Sequence, residues 1–190
     1  TTQLGNGWNW FSYYVETDLA ELENALGTNG LEIKSSNDGY VRYSSIVHND
    51  QTYYYWQGGL SSISETQMYM INTSAIHTLE VSGNIVDSDQ EIVINGGWTW
   101  IGYPTDKNVA INDALANLTP QLGDRIKTQD NGYAEYIHNE TYNVSYWSGS
   151  LTTLIPGEGY EYYNASSETK TFTFPTELDI ALSKKQDKLV

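Results

Sequence analysis

The chain contains one module written twice, and this duplication limits its possible architectures more than any other feature. Gly7-Trp8-Asn9-Trp10 returns as Gly97-Trp98-Thr99-Trp100, and Ile33-Lys34 returns as Ile126-Lys127. Asn37-Asp38-Gly39-Tyr40 returns as Asp130-Asn131-Gly132-Tyr133, and Tyr55-Trp56-Gln57-Gly58 as Tyr146-Trp147-Ser148-Gly149. The order is kept with few gaps, so a unit of about ninety residues has been duplicated, and a repeat of that size sets the architecture. Two similar lobes are expected, 1–88 and 89–175, followed by a tail or linker, 176–190. A residue kept in both copies either holds the module together or belongs to a site present twice.

Each copy reads as mostly β with one short helix, an α+β lobe rich in strands. Asp18 can cap a helix with Glu21 as its capping-box partner, and Leu19, Leu22 and Leu26 form its apolar stripe. Gly27 and Gly30 are stop signals. In the second copy Asn108 is the expected cap, Ile111, Ala114, Leu115 and Leu118 the stripe, and Pro120 the end. Short strands follow at intervals of about ten residues. Asn37-Asp38-Gly39 and Asp130-Asn131-Gly132 read as hairpin-type turns. The lobes are expected to join near Ile85–Glu91 and, the link being short, to pack together. The tail carries Lys184, Lys185 and Lys188 and is given no function.

Composition narrows the partners. The formal net charge is −15, which disfavours nucleic acid, anionic membranes and acidic polymers, since a polyanion binder needs a basic stripe. There is no cysteine, hence no disulfide, no cysteine-ligated zinc and no thiol nucleophile. No run reaches transmembrane length, so membrane insertion is not expected. No leader is visible, and the chain is expected to begin after any targeting segment. Tyrosine and tryptophan dominate the aromatics, 16 and 6 against 3 Phe. Such rings combine an apolar face with a polar tip and suit half-wet surfaces that grip a ligand.

No nucleophile elbow, His-Glu-x-x-His or phosphate loop is present. The three histidines, His48, His77 and His138, lack ligand spacing. No enzyme is expected and no cofactor is required. Calcium is the best metal option, through Asp87-Ser88-Asp89-Gln90-Glu91. That stretch lacks the loop glycine and full spacing of a calcium hand, so a solvated acidic linker is the favoured reading.

The aromatic positions divide into two groups. Trp8, Trp10, Trp98 and Trp100 alternate in strands apolar on both faces, which predicts core packing for them, with Phe11 and Ile101 entering the core from the other side. Trp56 and Trp147 follow polar, tyrosine-rich stretches and precede glycine. A glycine there admits a ligand or a backbone to the ring, so these two are the candidate platforms. Tyr40 and Tyr133 follow hairpin turns and are expected to be exposed beside them. Lys34, Lys127 and Gln129 are the candidate hydroxyl-binding groups, the lysines alternatively pairing with nearby acids.

Together, the Gly-Trp-Asn-Trp strand, Glu32-Ile33-Lys34-Ser35, Arg125-Ile126-Lys127-Thr128-Gln129, the Trp-x-Gly-x-Leu element and Pro156-Gly157-Glu158-Gly159-Tyr160 resemble a known module. Over residues 4–174 the chain is similar to the tandem "GWNW" repeats of secreted and surface-attached proteins of gut anaerobes. It is loosely similar to the bilobed binding modules of starch-adherence proteins. The resemblance implies a non-catalytic carbohydrate-binding module, secreted or attached to the cell surface within a larger multidomain protein. Its expected ligand is a neutral polysaccharide, starch-like α-1,4-glucan foremost. The alternative is a structural spacer or adhesin domain in which the shared aromatics are only core. A protein-binding module with a tyrosine-rich surface is a third reading.

Overall fold

The computed structural model describes residues 1–176, 179 and 181; the lysines of the tail lie outside the described residues. The first copy comprises β1 (Thr2–Leu4), β2 (Gly7–Phe11), α1 (Leu19–Leu26), β3 (Gly30–Lys34), β4 (Tyr40–His48), β5 (Gln51–Gly58), β6 (Tyr69–Thr73) and β7 (His77–Leu79). The second comprises β8 (Ile92–Ile94), β9 (Gly97–Ile101), β10 (Val109–Ala110), α2 (Ile111–Ala114), β11 (Arg125–Lys127), β12 (Tyr133–Asn139), β13 (Val144–Gly149), β14 (Thr153–Leu154), β15 (Tyr160–Asn164) and β16 (Lys170–Phe172). Each copy builds a five-stranded antiparallel sheet, in the orders β2-β6-β3-β4-β5 and β9-β15-β11-β12-β13. Each adds a two-stranded ribbon, β1-β7 and β8-β16. The repeat in sequence is therefore a repeat in topology, and the β-rich class is as expected.

One face of each sheet is covered. In the first lobe α1 and the ribbon bury Leu22, Leu26, Leu4 and Leu79 against Phe11, Ile33, Val41, Tyr69 and Ile71 of the sheet. Each such leucine contributes about 1.5–3 kcal/mol by leaving water. Asp18 caps α1 through the predicted capping box: its carboxylate accepts from the Glu21 amide at 2.8 Å. In the second lobe Ile92, Ile94, Phe172, Ile111 and Leu115 cover Ile101, Ile126, Ala134, Trp147 and Tyr162.

The second helix corrects the expectation. Asn108 is not its cap; the N-cap is Ala110, without a side-chain bond, and α2 is a single turn. Val109 and Ala110 are drawn into β10, which pairs with β14, so the helix starts late. A polar hub follows the shortened helix. The carboxylate of Asp124, fully buried, accepts from Lys170 Nζ at 2.6 Å, Tyr162 Oη at 2.7 Å, and the amides of Gln121 and Ala165 at 2.9 and 2.8 Å. Burial acts to raise its pKa, but Lys170, Tyr162 and the two amides outweigh that, and the carboxyl is held below its ordinary range. The first lobe has His77 at the strand position of Lys170, where its Nε2 lies 3.0 Å from the Ala25 carbonyl at the end of α1.

The lobes join by reciprocal backbone bonds. The Ser12 amide donates to the Gly157 carbonyl at 3.2 Å, and the corresponding Gly102 amide to the Thr66 carbonyl at 2.9 Å. Ser12 Oγ donates to the Glu158 carbonyl at 2.6 Å and accepts from the Tyr103 amide at 3.2 Å. Met68 is fully buried in this joint, lying where a Cβ on Gly159 would have to go.

Candidate functional site

The uncovered faces of the two sheets carry the exposed aromatics. Side chains alternate along a strand. With Phe11 and Ile101 buried at 2% and 0%, the tryptophans before them turn to the open side. Trp8 and Trp98 are 39% and 49% exposed, and Trp10 and Trp100 are half-buried. This corrects the core assignment of the W-x-W pairs. The strands are apolar on both faces, yet among the described residues no second layer covers the outer one.

The two candidate platforms exchange places with them. Tyr43 pairs with Trp56 and Tyr136 with Trp147, and these pairs lie on the core side. Trp147 is 5% exposed, packed on Tyr136 and Tyr162, and offers no ring face to a ligand. Trp56 is half-buried against the first core, with Gly30 making room: a Cβ there would sit 2.8 Å from the indole. The glycines after the tryptophans admit backbone. A Cβ on Gly58 or Gly149 would collide with the carbonyl of Tyr40 or Tyr133.

On the open face of the second lobe, Trp98, Arg125, Lys127, Tyr133 and Glu135 line a depression of about 360 Å³. Trp98 stands against Tyr163 with ring centroids 5.1 Å apart. Lys127 Nζ lies 4.5 Å from the Trp98 ring centroid and 5.4 Å from that of Trp10, so one ammonium sits between tryptophans of different lobes. It is also 2.7 Å from Glu161, whose other oxygen accepts from Trp100 Nε1 at 2.8 Å. Arg125 and Glu135 pair at 3.0 Å beside them. Exposed rings and anchored charged groups therefore share one wet surface, while cation–π contact and ion pairing orient Lys127.

The matching face of the first lobe has a smaller depression of about 250 Å³ lined by Tyr40, Arg42, Gln57 and Gly58. Arg42 lies over Tyr40, 5.4 Å from its centroid, and pairs with Glu32 at 2.8 Å. Lys34 makes no ion pair among the described residues; Met70 stands across from it where Glu161 stands across from Lys127.

Of the sequence candidates, Tyr133 and Lys127 come together in the larger depression, and Tyr40 lines the smaller. Lys34 is exposed on the same open face as Tyr40. Gln129 is engaged elsewhere: its Nε2 donates to the Trp8 carbonyl at 2.8 Å and its Oε1 accepts from the Trp10 amide at 2.7 Å. The residues that sequence reasoning missed are Trp98, Arg125 and Glu135. The signal for Trp98 was the buried partner Phe11 or Ile101, which already fixed the outward parity of W-x-W.

A cleft of about 380 Å³ near Ile85, Val86, Pro104, Val109 and Phe174 has no exposed ring in its lining. Among the described residues no group of three His, Asp or Glu side chains is placed to hold a metal ion, the Asp87–Glu91 stretch included. Searches against family models, curated proteins and solved structures find no match to this chain.

Proposed function

We propose that the chain is a non-catalytic carbohydrate-binding module, displayed by a secreted or surface-attached protein, that holds a neutral polysaccharide on the open aromatic faces of its two sheets. The observation that carries this reading is the depression in which the exposed rings of Trp98 and Tyr133 stand beside Arg125, Glu135 and Lys127. The apolar face of a pyranose can lie on an indole while its hydroxyls meet the charged groups. Each ring contact is worth on the order of 1 kcal/mol. One contact of that size is weak, but a polymer that reaches both lobes of one rigid body gains through avidity. The net charge of −15 favours an uncharged polymer over an acidic one. Starch-like α-1,4-glucan is the first ligand to try, as the resemblance to starch-adherence modules implies.

The spacer reading requires the shared aromatics to be core. Trp147 meets that requirement; Trp98 and Tyr133 do not.

The test is retention on insoluble starch, cellulose, xylan and mannan across a salt titration. Salt-insensitive retention by starch, weakened in Trp98→Ala and in Tyr133→Ala while Trp147→Phe binds normally, is the expected result. Retention by another neutral polymer would keep the module and change the sugar. Retention by none would overturn the reading.

A further inference from the structure

Each five-stranded sheet has two edge strands, and in each lobe one of them is closed by a side-chain carboxamide. Gln129 closes β2, bonding the Trp8 carbonyl and the Trp10 amide. Asn112 closes β13: its Nδ2 donates to the Trp147 carbonyl at 3.3 Å, and its Oδ1 accepts from the Trp147 amide at 2.8 Å. A carboxamide has one donor and one acceptor at peptide spacing, so it stands in for one residue of a neighbouring strand. The repeat supplies no such group to the other two edges. Ser36 occupies the position of Gln129, and Ala20, one residue after Leu19 as Asn112 is after Ile111, that of Asn112. The β9 edge is only five residues long and adjoins Gly102, which already donates to Thr66. The β5 edge is eight residues long and open.

Strand β5, Gln51–Gly58, carries no charge in a chain with 9 basic and 24 acidic residues. Edge strands are ordinarily blunted by lysine, proline, a bulge or short length, and β5 has none of these. Its pairing with β4 runs without a shift from Val41–Gly58 to His48–Gln51. Tyr53, Tyr54 and Tyr55 are 49%, 61% and 40% exposed. Trp147 turns its backbone outward to Asn112, so its counterpart Trp56 turns outward too. By antiparallel alternation Tyr54 and Thr52 do the same. Among the described residues none of these three backbones has a partner on that side.

We propose that the β5 edge is a strand-pairing site for a second copy of this chain, joined antiparallel about a two-fold axis at Tyr54. In that register Tyr54 faces its own copy and exchanges both backbone bonds with it. Thr52 faces the partner's Trp56, Tyr53 faces the partner's Tyr55, and Gln51 faces the partner's Gln57. Seven of the eight residues of the strand, Gln51 to Gln57, are paired in this register. No charge falls opposite a like charge, and aromatic side chains pair across the joint on both faces, which is what stabilises an antiparallel pair. The two five-stranded sheets become one continuous sheet, and the axis closes the assembly as a dimer.

Sedimentation velocity on the full chain, from micromolar to millimolar loading at about 0.15 M salt, where the Debye length of about 8 Å damps the net charge but leaves directly facing charges coupled, tests this. The wild type is expected to pass from monomer to dimer as concentration rises, and Tyr54→Phe to match it. Tyr54→Lys and Tyr54→Glu should each stay monomeric, because the axis sets two like charges face to face. An equimolar mixture of the two should recover the dimer. That recovery also shows that both variants are folded, and no hetero-partner strand would produce it. A wild type that is monomeric throughout overturns the proposal. So does a dimer that persists in both charged variants, or a mixture that fails to recover it.

Discussion

The two lobes share a backbone plan and differ in how their polar groups are arranged. In the first, Glu32 on β3 pairs with Arg42 on β4; in the second, Arg125 on β11 pairs with Glu135 on β12. The same ion pair has exchanged ends. Lys127 is anchored by Glu161 between two indoles, while Lys34 faces Met70. The first lobe finishes its helix with two full turns and a histidine; the second replaces a turn with the buried hub at Asp124. Duplication kept the apolar alternation that specifies the sheets and released the charged positions to diverge. The larger depression lies in the lobe whose lysine has an anchor.

The sharpest way to separate the lobes is to break that hub. Asp124→Ala leaves the ammonium of Lys170, 13% exposed, without its partner. Breaking a buried pair from one side costs about 3–5 kcal/mol. Urea unfolding followed by tryptophan emission should show the second lobe melting first, with the first lobe near its wild-type midpoint. A loss under about 1 kcal/mol would mean the hub is no more than a surface pair.

The wild type carries the same signature in pH. Asp124 has a folded pKa below its ordinary value, so its stabilisation is complete above the unfolded value of about 4 and fades as pH falls through the folded one. Acid should loosen the second lobe before the first, and Asp124→Asn should flatten that dependence.

A smaller effect is expected from Gln129→Ala, which removes two bonds to the β2 edge, or about 1–3 kcal/mol. Hydrogen exchange should then speed up at the Trp10 amide and leave Trp100 unchanged. On the ligand side, Trp98→Ala should weaken polysaccharide binding about fivefold, the value of one ring contact near 1 kcal/mol. Trp8→Ala should weaken it less if the second lobe leads. Smallest of all, exchanging Glu32 and Arg42 for each other should copy the arrangement of the second lobe and shift stability by under about 1 kcal/mol.

Much of this was legible in the sequence because it is local or periodic. The capping box at Asp18, the leucine stripe of α1 and the glycine turns lie within a few residues of their partners. The repeat itself gave two equivalent topologies. Three things were not legible, each for a physical reason. Apolar residues on both faces of a strand do not say whether a second layer covers the outer one, so the pattern alone points the W-x-W rings inward and leaves Trp147 free to face out. The stripe at Ile111–Leu118 allowed a longer helix, but Val109 and Ala110 found strand partners in Thr153 and Leu154. Gln129 looked like a free polar side chain because the backbone it serves is 119 residues away.

That last distance has a consequence for biosynthesis. A ribosome releases the chain from its amino end, so β2 emerges long before Gln129 and before Gly157 and Gly159, which bond its far end. Until those residues emerge, the first lobe presents a bare strand that carries Trp8 and Trp10. The first half of the chain is thus exposed to mispairing with neighbouring nascent chains until the second half has been made. A fragment cut at the repeat boundary would remain in that state permanently.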